Sequence, residues 1–410
     1  MSPFALVAIM MSLVALAGWA NAKTVKLPHA VAMMLAGITG ALTVVVLQWL
    51  APELALVKEI TSAVSGIDFT TTVTGYMLGF LLFAGAMQVD LTEMKRRWFS
   101  IGALATFGVA GSIVVVGFGL WFAARLLGVP LALDWALVFG ALISPTDPVA
   151  LMATMRTAKL SQTLTVLLQG EALFNDGVGI VAFTALVAVA NGGEAHIFTT
   201  IGDVLIEGVG GLAFGMLASA LVIRLMDMLD DFAVETSMSI ALAMSVYAGA
   251  QALHLSAPIA AVGAGMLFGS QRAKMAMSGE TESYLKSFWT LVDEVLNALL
   301  FLLLGVEMLV VPFFTHETGL LLAAVPLVLA ARFLVVIPWG TYYSLRQGER
   351  GATFVLGFGG LHGAVSLALA LSLPEGPERT LLLAVTYVVV AFSIAVQGLS
   401  FGPVVKRITA

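Results

Sequence analysis

Apolar runs long enough to cross a bilayer recur from one end of this chain to the other, separated only by short polar clusters, and few folds can accommodate that pattern. Each run is on the order of 20 residues, the length a helix needs to traverse the hydrocarbon layer. Lipid offers no partners to backbone groups, so such segments must satisfy their hydrogen bonds internally, as helices do. The alternating pattern of a membrane β-barrel is absent. Composition agrees: the 410 residues are 60% hydrophobic and 11% charged. An all-α polytopic membrane protein is therefore expected. No long loop and no tail beyond "KRITA" suggests a soluble regulatory domain. The absence of cysteine excludes disulfides, thiolate metal sites and cysteine nucleophiles.

Hydropathy marks thirteen spans, at about residues 4 to 21, 28 to 50, 69 to 89, 99 to 124, 131 to 154, 162 to 190, 199 to 226, 236 to 254, 256 to 270, 285 to 311, 318 to 344, 351 to 373 and 380 to 404. The first span ends in "GWANAK", which imitates a signal-peptidase site. Its leader "MSPFA" lacks the usual cation, so the span is expected to be retained. Fifteen of the 19 lysines and arginines follow odd-numbered spans, three (Lys58, Arg125, Arg379) follow even-numbered ones, and Arg332 lies within a span. Because cytoplasmic loops hold the excess of cations, the N-terminus is expected outside and the C-terminus inside.

Two spans carry their own interruptions. Span 5 contains "SPTDP", whose Pro145 and Pro148 remove backbone donors and clash with the preceding turn, unwinding the helix around Thr146 and Asp147. Span 12 contains "GFGGLHGAVS", where glycines 357, 359, 360 and 363 make a second soft point. Kinks and close helix packing would explain either one alone. The spans are seven apart, however, and an odd offset places them in opposite orientations across the bilayer. Paired interrupted helices in inverted positions point to a transporter site at a repeat interface, with spans 1 to 6 and 8 to 13 as inverted repeats and spans 5 and 12 crossing.

Span 6 places Glu171, Asn175 and Asp176 near its centre, and ionisable groups at that depth are costly and by default functional. Glu171 and Asn175 share a face, and Gly177 and Gly179 leave room beside Asp176. If the break in span 5 crosses there, Asp147, Asp176, the Thr146 hydroxyl and the Asn175 amide form an oxygen-rich site. Such oxygens suit a hard cation. A proton competes with it for the same carboxylates, which makes one site with two alternative loads. Arg332 in span 11 would be expensive unpaired, and Glu171 is its expected partner, in a structural ion pair rather than a ligand set.

Asp203, Glu207, Asp293, Glu294 and Glu307 read as residues of span ends or of a watery funnel, and His254 and His316 fall at ends or in loops. His362 sits on the interrupted span 12, and its imidazole makes it the candidate for pH modulation. No catalytic residue, resident cofactor or nucleic-acid partner is expected. An intramembrane aspartyl protease would need a "GxGD" setting that "NDGVG" does not supply, and a channel would need a filter or a ring of charges.

The blocks "SPTDPVA", "GEALFNDGVGIVAF", "LNALLFLLLGVEM", "AAR", "GGLHGAVSLALALSLP" and "AVQGLSFGPV", in this order between about residues 140 and 405, resemble those of the NhaP-type sodium/proton antiporters, relatives of the eukaryotic sodium/proton exchangers. The resemblance implies a thirteen-span inverted-repeat fold in a homodimer. A multi-pass protein of the cell (inner) membrane of a bacterium is expected, from a short chain without a regulatory tail. The resemblance also implies a moving core unit (about 99–190 and 318–404), a dimerisation unit (about 4–89 and 199–311), and exchange of a monovalent cation for a proton by an elevator-like movement. It further implies that Asp176 carries the cation or the proton, that Asp147 and Thr146 border Na+, that Asn175 orients the site, and that Glu171 pairs with Arg332. An "ND" rather than "DD" pair goes with electroneutral exchange. Three positions depart from the pattern: Ala172 replaces a serine, His362 an arginine and Ala84 an acid. With fewer ligands, Li+ and K+ stay open beside Na+, as do a K+/H+ exchanger and a sodium-coupled organic-anion carrier of the same fold.

Overall fold

Helix is the only regular structure among the described residues, as the lipid argument requires. The computed structural model describes residues 3–50, 75, 77–147, 160–192, 197–306 and 317–409. Pro148, Glu307 and His316 lie outside these residues, as do residues 148 to 154 of the span expected at 131 to 154.

In chain order the helices are α1 (Pro3–Lys23), α2 (His29–Leu50), α3 (Leu78–Met87), α4 (Leu91–Leu126), α5 (Leu133–Ile143), α6 (Gln162–Ala190) and α7 (Ile197–Met226). They continue with α8 (Phe232–Ala252), α9 (Ala257–Phe268), α10 (Gly279–Val306), α11 (Thr318–Gln347), α12 (Ala352–Phe358), α13 (Ala364–Leu371) and α14 (Pro377–Ile408). Among the described residues, eight helices are long and apolar enough to cross a membrane: α2, α4, α6, α7, α8, α10, α11 and α14. Shorter apolar helices include α3, α5 and α9.

The expected boundary of span 4 needs correction. Lys95, Arg96 and Arg97, read as a loop, lie on α4, because Asp90 accepts hydrogen bonds from the amides of Thr92 (2.9 Å) and Glu93 (3.2 Å) and starts the helix there. Likewise α10 begins at Gly279 rather than near 285, with the Ser278 hydroxyl accepting from the Thr281 amide at 3.3 Å, so Lys286 is helical. Hydropathy marks the stretch of helix that lipid can hold, whereas capping marks where the helix begins.

α7 packs along α9, α3 and α8 also contact α9, and α2 lies against α10. On the other side α4 contacts α5 and α11, α5 contacts α6, and α11 contacts α12. Small residues permit these approaches. A Cβ on Gly263 would lie 2.8 Å from the Leu212 carbonyl oxygen, and one on Gly265 3.0 Å from the Phe83 Cα, so α9 meets α7 and α3 backbone to backbone.

Candidate functional site

Two non-helical segments meet inside the bundle. α5 stops at Ile143 and the chain runs irregularly through Ser144 to Asp147; α12 stops at Phe358 and α13 resumes at Ala364. The Asp147 amide donates to the Leu361 carbonyl at 2.6 Å, and His362 Nδ1 lies 3.2 Å from the Pro145 carbonyl oxygen. Each break thus satisfies polar groups that the other has freed. A Cβ on Gly363 would collide with the Asp147 carboxylate, so only glycine permits this approach.

α6 runs beside the junction. A Cβ on Gly179 would lie 2.6 Å from Pro145 Cγ, so its absence lets α6 approach the break in α5. Asn175 Nδ2 donates to Thr146 Oγ1 at 2.7 Å, fixing α6 to the unwound segment. This bond turns the amide oxygen the other way, and both Asn175 Oδ1 and Asp176 Oδ1 are buried without a hydrogen-bond partner. Asp147, only partly buried, interacts electrostatically with the Asp176 carboxylate. Four oxygen-bearing side chains, those of Thr146, Asp147, Asn175 and Asp176, therefore gather at this junction. Buried oxygens left unpaired are costly, and a hard cation or a proton would relieve that cost.

One turn earlier on α6, Glu171 faces Arg332 of α11. The guanidinium bonds both carboxylate oxygens, with Nη2 to Oε2 at 2.7 Å, and also donates to the Leu356 carbonyl through Nη2 at 3.1 Å and Nε at 3.3 Å. That carbonyl belongs to the last turn of α12, where the break has removed its helical donor. Arg332 thus closes the end of the interrupted helix as well as pairing with Glu171. A Cβ on Gly360 would lie 2.5 Å from Arg332 Nε, so this glycine makes room for the guanidinium.

Two supporting residues were missed in the sequence. Gln397 Nε2 donates to the Phe358 carbonyl at 2.7 Å and the Gly360 carbonyl at 3.2 Å, while the Ser393 hydroxyl accepts from the His362 amide at 2.9 Å and donates to Gln397 Oε1 at 3.2 Å. Both lie on a π-helical turn of α14, Ser393–Gly398. The signal was a polar pair four apart inside an apolar span. His362 is buried, and its ring and backbone are both engaged at the junction.

The remaining candidates lie elsewhere. Glu207 lines a cavity with Thr184, Gln251 and Ser372, Asp293 accepts from Asn297 at 2.9 Å, and His254 follows α8 in a left-handed conformation. The Asp203 side chain lies outside the described residues. Ala172 and Ala84 are fully buried and bring no oxygen to the site.

The family profile described as "Sodium/hydrogen exchanger, transmembrane" matches residues 10–407. The chain belongs to this family. It is a multi-pass membrane protein of a family of transporters, not enzymes. It is 39% identical over 411 residues to the Na+/H+ antiporter NhaP of Pseudomonas aeruginosa, covering 99% of this chain and 97% of that protein. It is 32% identical over 398 residues to the Na+/H+ antiporter NhaH of Halobacillus aidingensis, covering 95% of this chain and 94% of that one. Its fold is similar to a solved structure of the sodium proton antiporter of Methanocaldococcus jannaschii, with a TM-score of 0.73 and 17% identity over the whole of both chains.

Proposed function

We propose that this exchanger-family protein is an antiporter that trades Na+ for H+ at Asp176. The observation that carries the reading is the pair of buried, unpartnered oxygens, Asp176 Oδ1 and Asn175 Oδ1, beside the Thr146 hydroxyl and the Asp147 carboxylate. The names of relatives that match along nearly the whole chain support the cargo.

Asp176 takes either Na+ or a proton. Asp147 and Thr146 border the ion, Asn175 holds α6 to the break, and Glu171 with Arg332 holds α12. Only one strongly buried acid titrates in each cycle, because the neighbouring position is an asparagine, and exchange is electroneutral. Thirteen spans in inverted repeats, with the N-terminus outside, are the arrangement that the charge distribution and the two breaks favour. The moving unit is α4 to α6 with α11 to α14, and α1 to α3 with α7 to α10 forms the dimerisation unit of a homodimer. The contacts of α9 with α7 and α3, and of α4 with α5 and α11, support that division. An elevator-like displacement of one unit against the other exposes Asp176 to each side in turn.

The test is exchange in proteoliposomes. Addition of Na+ collapses an imposed ΔpH with the wild type and leaves it intact with Asp176→Asn, which inserts normally. A wild-type collapse by the variant overturns the assignment. Repeating the assay with Li+, K+ and Rb+, with and without a membrane potential, determines the cargo and the electroneutrality.

A further inference from the structure

A cavity of about 920 Å3 opens between the first turns of α4, the middle of α7, the C-terminal end of α9 and the short helix Gln271–Met275 that follows it. Trp98, Met216 and Leu267 give it an apolar wall, and Lys95, Arg96 and Arg272 stand among its lining residues with no aspartate or glutamate. Arg96 is paired with Glu93 at 3.0 Å, but Lys95 and Arg272 have no ion pair among the described residues. Trp98 is 70% exposed beside these cations, the placement of a ring at the lipid–water boundary.

The chemistry is the reverse of a cation vestibule. The positive charge of Lys95 and Arg272, without an ion pair among the described residues, repels Na+ and attracts an anion, while the apolar wall fits acyl chain rather than water. Basic pockets between transmembrane helices on the cytoplasmic side suit anionic lipid headgroups. The charge distribution assigns this end of the bundle to the cytoplasm. We propose that this cavity seats an anionic phospholipid, its phosphate between Lys95 and Arg272 and an acyl chain against Trp98, Met216 and Leu267. A lipid so held joins α4 to α7 and α9, across the boundary between the two proposed units. The seat itself does not depend on the exchange reading.

The experiment uses the full chain in nanodiscs of phosphatidylcholine with added phosphatidylglycerol, and native mass spectrometry counts the phosphatidylglycerol retained. Wild type prefers phosphatidylglycerol, and Lys95→Gln with Arg272→Gln lowers that preference roughly ten- to thirtyfold, the loss expected for two juxtamembrane charges. Lys406→Gln with Arg407→Gln, which removes two cations elsewhere, keeps it. Each single variant, Lys95→Gln or Arg272→Gln, loses part of it, so the seat can be read even if the double variant folds poorly. Wild-type preference in the double variant overturns the proposal. So does equal protection of wild type against heating by inorganic phosphate and by phosphatidylglycerol, because a free anion needs no apolar wall. Exchange in pure phosphatidylcholine vesicles stays at the wild-type level in the double variant, so loss of this seat leaves the Asp176 reading standing.

Discussion

Asn175 decides the polarity of the site. Its amide has donors and one acceptor oxygen, and by giving a donor to Thr146 Oγ1 it leaves Oδ1 buried and unpartnered, as Asp176 Oδ1 is. On the proposed reading, Asp176 binds a proton or a cation, but not both. Lowering the pH therefore raises the apparent KM for Na+ while Vmax holds, because protons compete for the free site. Initial rates of Na+-driven proton release over a range of pH check this; a fall in Vmax at constant KM argues against shared oxygens. Glu171 and Arg332 pose a different question, since a buried pair is weak evidence of stability but costly to break. Either alanine substitution alone is expected to cost about 3–5 kcal/mol, and joint apolar replacement far less. Thermal melts of the three variants measure the difference, and additive losses would show that the two residues act separately. Sequence reasoning identified this pair because Arg332 was the one cation well inside a span. It did not identify the Leu356 carbonyl as the third party, because no side-chain pattern reports a carbonyl left without its donor.

At the scale of the elements, the interruption of α12 and α13 was legible from its glycines, and that of α5 from Pro145. What satisfies these breaks was not legible. The freed carbonyls of Phe358 and Gly360 find Gln397 on α14, about forty residues away, and hydropathy gives such a residue no distinguishing weight. Gln397→Leu leaves both carbonyls without this donor and is expected to cost about 1–3 kcal/mol. Hydrogen exchange of residues 359 to 363 should speed up while that of α6 stays protected. Unchanged exchange at the junction would show that water replaces the amide. Gly363 makes a stricter demand, because any side chain there collides with Asp147. Gly363→Ala therefore displaces the carboxylate and raises the KM for Na+ more than it lowers the folded yield, and a wild-type KM would show that the segment can yield.

For the whole molecule, the division into two packed groups becomes testable because the chain contains no cysteine. A Cβ on Gly85 of α3 would lie 3.8 Å from Leu173 Cδ2 of α6, so the two positions face each other across the boundary between the groups. Cysteines introduced at both positions and cross-linked are expected to stop exchange, and reduction to restore it. Full exchange by the linked protein would rule out sliding of α6 past α3. The sequence by itself determined that the chain is a bundle of membrane-crossing helices, that two of them are interrupted, and that Glu171, Asn175, Asp176 and Arg332 lie within it, because lipid tolerates neither open backbone nor unpaired charge. Only the tertiary structure decided that the two breaks meet each other, that Asn175 gives its amide donor to Thr146 and leaves its oxygen buried and unpartnered, and that Arg332 and Gln397 close the end of α12. Those outcomes depend on hydrogen-bond directions between segments far apart in the chain, and local periodicity carries no information about them.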